Sequence, residues 1–166
     1  MTEPMTEGVT TRHLVAADGP LLVRATLGNL NWCGPRFTEY DVHSRPEFRH
    51  YTQLVLERGD FGFVAERADG QIGVAWAQFL PAADPGYGFV DESTPEISLW
   101  TREDSRGKGV GKILLRQLEQ EASDRSIDRL CLSVEAGNYA RHLYASEGFI
   151  QVVGREADGV MVRVVS

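Results

Sequence analysis

The sequence predicts an α/β fold, a mixed sheet with helices on both faces. Three features carry that expectation. Asp69-Gly70 and Asp158-Gly159 sit between apolar runs and signal tight hairpins. Val110, Ile113, Leu114, Leu118 and Ala122 recur at helical spacing and form one apolar stripe. The helix they define lies between two short apolar strands and so serves as a crossover.

Residues 1–8 read as a flexible tail and 9–166 as a single domain. Thr10 to Val15 suits a first strand. Asp18 is placed to cap a helix with Pro20 in its first turn and Leu21, Leu22, Ala25 and Leu27 along it. Gly28 to His43 has weak periodicity and reads as a loop or broken helix. Ser44 with Glu47 three residues on forms a capping-box pattern, opening a helix through Phe48, Tyr51, Leu54 and Val55 that Gly59 ends. Phe61–Glu66 and Gln71–Phe79 make the first hairpin, and Leu80 to Pro95 a long Pro- and Gly-rich loop of the kind that often carries function. Ile97, Leu99 and Thr101 alternate with Ser98 and Trp100 in a short strand, and Arg129 to Val134 is a buried one. A helix over Tyr139–Glu147 stops at Gly148, and Phe149–Val153 with Val160–Val165 form the last hairpin.

The 166 residues carry a net charge of −7 and a pI of about 5.1. Such a surface makes nucleic acid an unsuitable partner. It would attract a cation, although net charge is not a site. Cys33 and Cys131 are far apart, and with His13, His43, His50 and His142 they show no metal-ligand spacing, so no metal is expected. Cys131 lies in the apolar run LCLSV and reads as a core residue. No apolar run is long enough to span a bilayer, and the acidic start MTEPMTEG lacks the regions of a signal peptide. No membrane association and a cytoplasmic location are the expectations.

The chemistry concentrates between Glu96 and Ala122. A strand runs into Arg106-Gly107-Lys108-Gly109-Val110-Gly111-Lys112 and then into the amphipathic helix. Alternate glycines at a helix start let the backbone turn tightly and approach a ligand. The first helical N–H groups are unpaired and lie at the positive end of the helix dipole, which suits phosphate. Two phosphate motifs fail on these residues. A P-loop needs Ser or Thr where Ile113 stands and Gly where Arg106 stands, and a dinucleotide fingerprint needs Gly where Lys112 stands.

The remaining pattern, Arg106-x-x-Gly109-x-Gly111 after a strand, resembles the acyl-coenzyme A pyrophosphate loop of the GCN5-related N-acetyltransferase (GNAT) family. A second stretch, LCLSVEAGNYARHLYASEGF, resembles that family's other signature through Asn138, Ala140, Leu143, Tyr144, Gly148 and Phe149. Together the two cover Glu96 to Val153. The resemblance implies a mostly antiparallel sheet splayed between its two central parallel strands. It also implies acetyl transfer from acetyl-coenzyme A to a primary amine by direct attack in a ternary complex, and a homodimer. By the same resemblance, the backbone of Leu99, Trp100 and Thr101 pairs with the pantetheine arm. Backbone N–H groups from Gly107 through Lys108, Gly109, Val110 and Gly111 to Lys112 hold the pyrophosphate, Arg106 shapes the loop, Asn138 bonds the pantetheine, and Tyr144 is the general acid. Many relatives carry a glutamate base where this chain has Ser133. A serine cannot do that work, which leaves Glu96, Glu135 or water as the base.

Around the acceptor, Tyr87 and Phe89 flank a site or cover the core edge, and Trp32, Phe37 and Tyr40 line a pocket or simply pack. Two readings compete with the enzyme. A non-catalytic acyl-coenzyme A sensor would keep the loop and lose acid and base, and a protein-interaction module would use the glycines only as a turn.

Overall fold

The computed structural model describes residues 8–165. The tail expected over residues 1–8 therefore lies, except for Gly8, outside the described residues. The strands are β1 (Thr10–His13), β2 (Phe61–Arg67), β3 (Gly70–Gln78), β4 (Glu96–Thr101), β5 (Arg129–Ser133), β6 (Ile150–Gln151) and β7 (Val160–Val164). The α-helices are α1 (Gly19–Leu30), α2 (Glu39–Ser44), α3 (Pro46–Arg49), α4 (Val110–Asp124) and α5 (Ala140–Ser146). One seven-stranded sheet runs β1-β2-β3-β4-β5-β7-β6. Every neighbouring pair is antiparallel except β4–β5.

The period-2 pattern of the sheet feeds two cores. Phe61, Phe63 and Ala65 of β2 join Leu114, Leu115 and Leu118 of α4 on one face, with Tyr144 of α5. Val64 of β2, Val74 and Trp76 of β3 and Trp100 of β4 join Leu21, Leu22 and Ala25 of α1 on the other. The apolar stripe of α4 is fully buried at Leu114, Leu115 and Leu118, each contributing about 2 kcal/mol of burial. Both expected hairpins pair, with Arg67 opposite Gly70 and β7 beside both β5 and β6, but the second has a longer loop with a 3₁₀ turn over Glu156–Asp158.

The region from Asp18 to Gly59 departs from expectation. Asp18 does not cap α1. Its carboxylate is taken by Arg12 at 2.8 and 2.9 Å and by the Val15 N–H at 2.8 Å. Helix α1 runs through Gly28 because that glycine faces Trp100, whose indole would collide with any Cβ there. The capping box belongs to Thr38 and Asp41, which open α2. Ser44 ends α2 because Arg45 precedes Pro46 and is extended at φ −97° and ψ 118°. Past α3, the chain continues as a 3₁₀ turn over His50–Thr52 and not as the longer helix expected through Val55. That turn places Tyr51 under the sheet.

Candidate functional site

Strand β4 is paired with β3 along the whole of β4, from Gly73 opposite Thr101 to Gln78 opposite Glu96. On the other side, β4 meets β5 at one register position only, Glu96 opposite Cys131. From Ile97 onward that edge of β4 pairs with no strand among the described residues, so the sheet splays at its parallel pair. The opening leads into a cavity of about 370 Å³. Glu96, Leu99, Ser133, Glu135, Asn138 and Tyr144 all line it.

Glu96 is 5% exposed. The Tyr51 hydroxyl donates to its Oε2 at 2.6 Å, and the Tyr87 N–H donates to that hydroxyl at 2.8 Å. Oε1 meets no donor at hydrogen-bond geometry among the described residues, the Gly88 N–H lying only near enough to favour the charged carboxylate. The Gly86-Tyr87-Gly88 segment of the long loop presses on this pair. A Cβ on Gly86 would collide with the carboxylate and the Tyr51 hydroxyl, and one on Gly88 would lie 2.5 Å from the Leu132 carbonyl carbon. Burial pushes the Glu96 carboxyl up to about 7, partly countered by the Tyr51 hydroxyl and the Gly88 N–H. A carboxyl titrating there can take up a proton at neutral pH and release it again.

Sequence reasoning placed Tyr51 among apolar helix residues and missed this hydrogen bond. A hydroxyl that donates to a carboxylate favours its charged form. Tyr51→Phe is therefore expected to move the Glu96 titration to higher pH. A carboxyl titration followed by NMR on the labelled Glu96 checks this, and an unchanged midpoint would exclude the coupling.

Glu135 is held differently. Arg36 reaches its two oxygens at 2.8 and 3.1 Å, and this contact lowers its pKa. A carboxylate stabilised in its charged form is a poor base at neutral pH. Glu96 thus has the chemistry a base needs, and Glu135 that of a structural ion pair. Cys131 is fully buried and its thiol is pushed far above the ordinary range by burial, in keeping with a core role.

Tyr144 is buried, with its ring 5.9 Å from that of Phe149 in an edge-to-face contact. Burial holds its phenol well above the ordinary range, so at neutral pH it is a proton donor and not a phenolate. Asn138 accepts from the Ala140 N–H through Oδ1 at 3.0 Å just ahead of α5, which leaves its amide donors for the cavity. Of the aromatic candidates, Trp32, Phe37 and Tyr87 line the cavity. Phe89 does not, and Tyr40 points to solvent at 77% exposure.

At the other end of β4 the glycine loop takes the geometry its composition allows. Gly107 and Gly109 adopt φ of 73° and 87°, a left-handed region that favours glycine. Arg106 folds back so that its Nε donates to the Thr101 carbonyl at 3.2 Å. Among the described residues, no backbone hydrogen bond from the N–H groups of Gly107 through Lys112 is formed, while Ile113 donates to Gly109. Gly111 faces β4 and α5, where a Cβ would make ordinary contacts of 3.4 Å with Leu99 and Leu143. The side chain of Trp100 is core, packed under Arg24 at 5.1 Å, so any ligand contact there must use its backbone. Among the described residues there is no group of His, Cys, Asp and Glu suited to a metal, and no helix is long and apolar enough to cross a membrane.

Known structures share this architecture. A GNAT-family acetyltransferase from Staphylococcus aureus Mu50 superposes with a TM-score of 0.71 at 13% identity, over 95% of this chain and 99% of that one. The PaiA N-acetyltransferase of Thermoplasma acidophilum, solved with coenzyme A, gives 0.68 at 18%, over 94% and 98%. The ribosomal-protein-alanine N-acetyltransferase of Brucella melitensis gives 0.60 at 26%, over 93% and 99%. No curated protein matches the sequence significantly. The profile of the acetyltransferase (GNAT) family matches residues 26–149, which span α1 to the start of the last hairpin and so include the splayed strands, the glycine loop and α5. The chain therefore belongs to the acetyltransferase (GNAT) family, whose members are acetyl-coenzyme A-dependent N-acetyltransferases.

Proposed function

We propose that this protein moves the acetyl group of acetyl-coenzyme A to a primary amine by direct attack on the thioester in a ternary complex. The observation that carries this reading is the shared cavity. Glu96 and Tyr144 line one space at the unpaired edge of β4, and β4 runs on toward the unpaired N–H groups of the glycine loop.

In this reading acetyl-coenzyme A supplies the activated acyl group, and the chain supplies position and proton transfer. The pyrophosphate rests on the N–H groups from Gly107 to Lys112, at the positive end of α4. The pantetheine arm lies along Leu99, Trp100 and Thr101 as an added strand, with the Asn138 amide donating to it. A protonated amine has no lone pair with which to attack, so Glu96 takes its proton, directly or through one water. A β4 N–H on the open edge stabilises the charge that gathers on the thioester oxygen. The departing sulfur takes a proton from the Tyr144 hydroxyl. No covalent intermediate on the enzyme is needed, which agrees with the inert setting of Cys131.

Calorimetric titration tests the cofactor half of the reading. The unaltered chain is expected to bind acetyl-coenzyme A, and Gly109→Val to bind it at least about tenfold more weakly, because a side chain there strains the loop and blocks backbone approach. Equal affinity in a folded Gly109→Val variant would contradict the phosphate-loop assignment. The reading also includes a cytoplasmic setting, supported by free Cys33 and Cys131. It includes a homodimer as well, which sedimentation as a monomer at micromolar concentration would remove.

A further inference from the structure

Resting on the acetyl transfer proposed above, we infer that the acceptor is a monoamine carried on an aromatic or branched apolar body, and not a polycation such as a polyamine. Two independent observations lead there, the charges of the cavity and its walls.

The cavity is lined by three carboxylates, Glu96, Glu135 and Asp158, and one cation, Arg36. Glu135 is paired with Arg36 at 2.8 Å and Asp158 with Arg155 at 3.1 Å, and both carboxylates are more than half exposed to solvent, away from the buried end of the cavity where Glu96 sits. Only Glu96 is free of an ionic partner, and its Oε1 is unpaired. The cavity therefore offers one anionic group to one ammonium. A second or third ammonium would enter with nothing to pair with, and an unpaired buried charge is expensive. The acidic balance of the whole surface does not alter this, because those carboxylates lie outside the cavity.

The walls are aromatic. Trp32, Phe37, Phe48, Tyr51 and Tyr87 all line the cavity. Phe37 and Phe48 meet edge to face at 5.0 Å and 72°. The Arg45 guanidinium lies over both rings, 5.4 Å from Phe37 and 4.7 Å from Phe48, which fixes them as a preformed wall. Besides Glu96 Oε1, the buried lining atoms without a hydrogen-bond partner among the described residues are the Thr26 hydroxyl and the Trp32 indole Nε1. Such a wall suits a body that carries few polar groups. Rings and branched alkyl groups gain contact here, while a chain of secondary amines loses hydration without compensation.

The test compares kcat/KM for thiol release with 2-phenylethylamine, isopentylamine and spermidine at saturating acetyl-coenzyme A. Both apolar monoamines are expected to exceed spermidine by at least about tenfold. Spermidine equal or better would overturn the inference. Arg36→Gln frees Glu135 of its ionic partner, leaves a second unpaired carboxylate in the cavity and is expected to shift the phenylethylamine-to-spermidine ratio at least about tenfold toward spermidine. An unchanged ratio in the folded variant would also overturn it. Failure of the acetyl-transfer reading looks different, with no thiol release from any amine. In that case calorimetric binding of the amines to the coenzyme A-loaded chain still decides. Phenylethylamine binding without spermidine binding supports the inference, and the reverse, or no binding of either, refutes it.

Discussion

Glu96→Gln is expected to lower turnover by about 10²- to 10³-fold while leaving acetyl-coenzyme A affinity unchanged. The amide keeps the shape of the side chain and its place beside Tyr51 but takes no proton from the acceptor. The pH profile makes the assignment specific. With the carboxyl pushed up to about 7, the base form grows as pH rises through that value, so kcat/KM should climb with an inflection near 7. The variant should lose that inflection and keep only the titration of the amine itself. Stability should move the opposite way. Folding holds the Glu96 carboxyl above its ordinary 4.5, so its contribution is fully present below about pH 4.5 and is lost as pH rises through 7. At pH 8 the buried charge therefore costs about 3 kcal/mol, and Glu96→Gln should be the more stable protein by an amount approaching that. Urea unfolding of both proteins at pH 5 and pH 8 measures it. A variant that is both fully active and no more stable at pH 8 would remove Glu96 from the mechanism.

Tyr144→Phe is expected to lower kcat by about 10²-fold with little change in acetyl-coenzyme A affinity or stability. Among the described residues burial is the sole influence on the Tyr144 hydroxyl and no hydrogen bond is made to it, so deleting it breaks no internal hydrogen bond. A tyrosine that only filled space would be replaced by phenylalanine without loss of turnover. The inflection near pH 7 should persist in this variant, since Glu96 is intact. Unaltered kcat would exclude the hydroxyl as the acid.

The parts of this site legible in sequence are those whose signal is local. The glycines at 107, 109 and 111 and the stripe on α4 lie within one strand–turn–helix unit, and the Asp69-Gly70 hairpin is tight as expected, whereas β6 and β7 are joined by a longer loop with a 3₁₀ turn over Glu156–Asp158. What escaped depends on contacts distant in sequence. Tyr51 lies 45 residues from Glu96, and Arg36 lies 99 from Glu135. No periodicity within a window reveals such pairs. The Ser44 capping pattern misled because Pro46 imposes an extended residue just where the helix would have begun. Gly28 looked like a helix breaker, but it is the position where α1 comes against Trp100. The choice between Glu96 and Glu135 as base was open on residue type and rests in the structure on their neighbours, a phenol for one and a guanidinium for the other.

The most direct test of the central claim is the release of free thiol from acetyl-coenzyme A by the purified chain, with and without a primary amine. Thiol release that requires the amine, saturates with it and yields the acetylated amine by mass spectrometry is the expected result. Tight binding of acetyl-coenzyme A with no amine-dependent release would contradict the catalytic account and leave the cavity as a binding site alone.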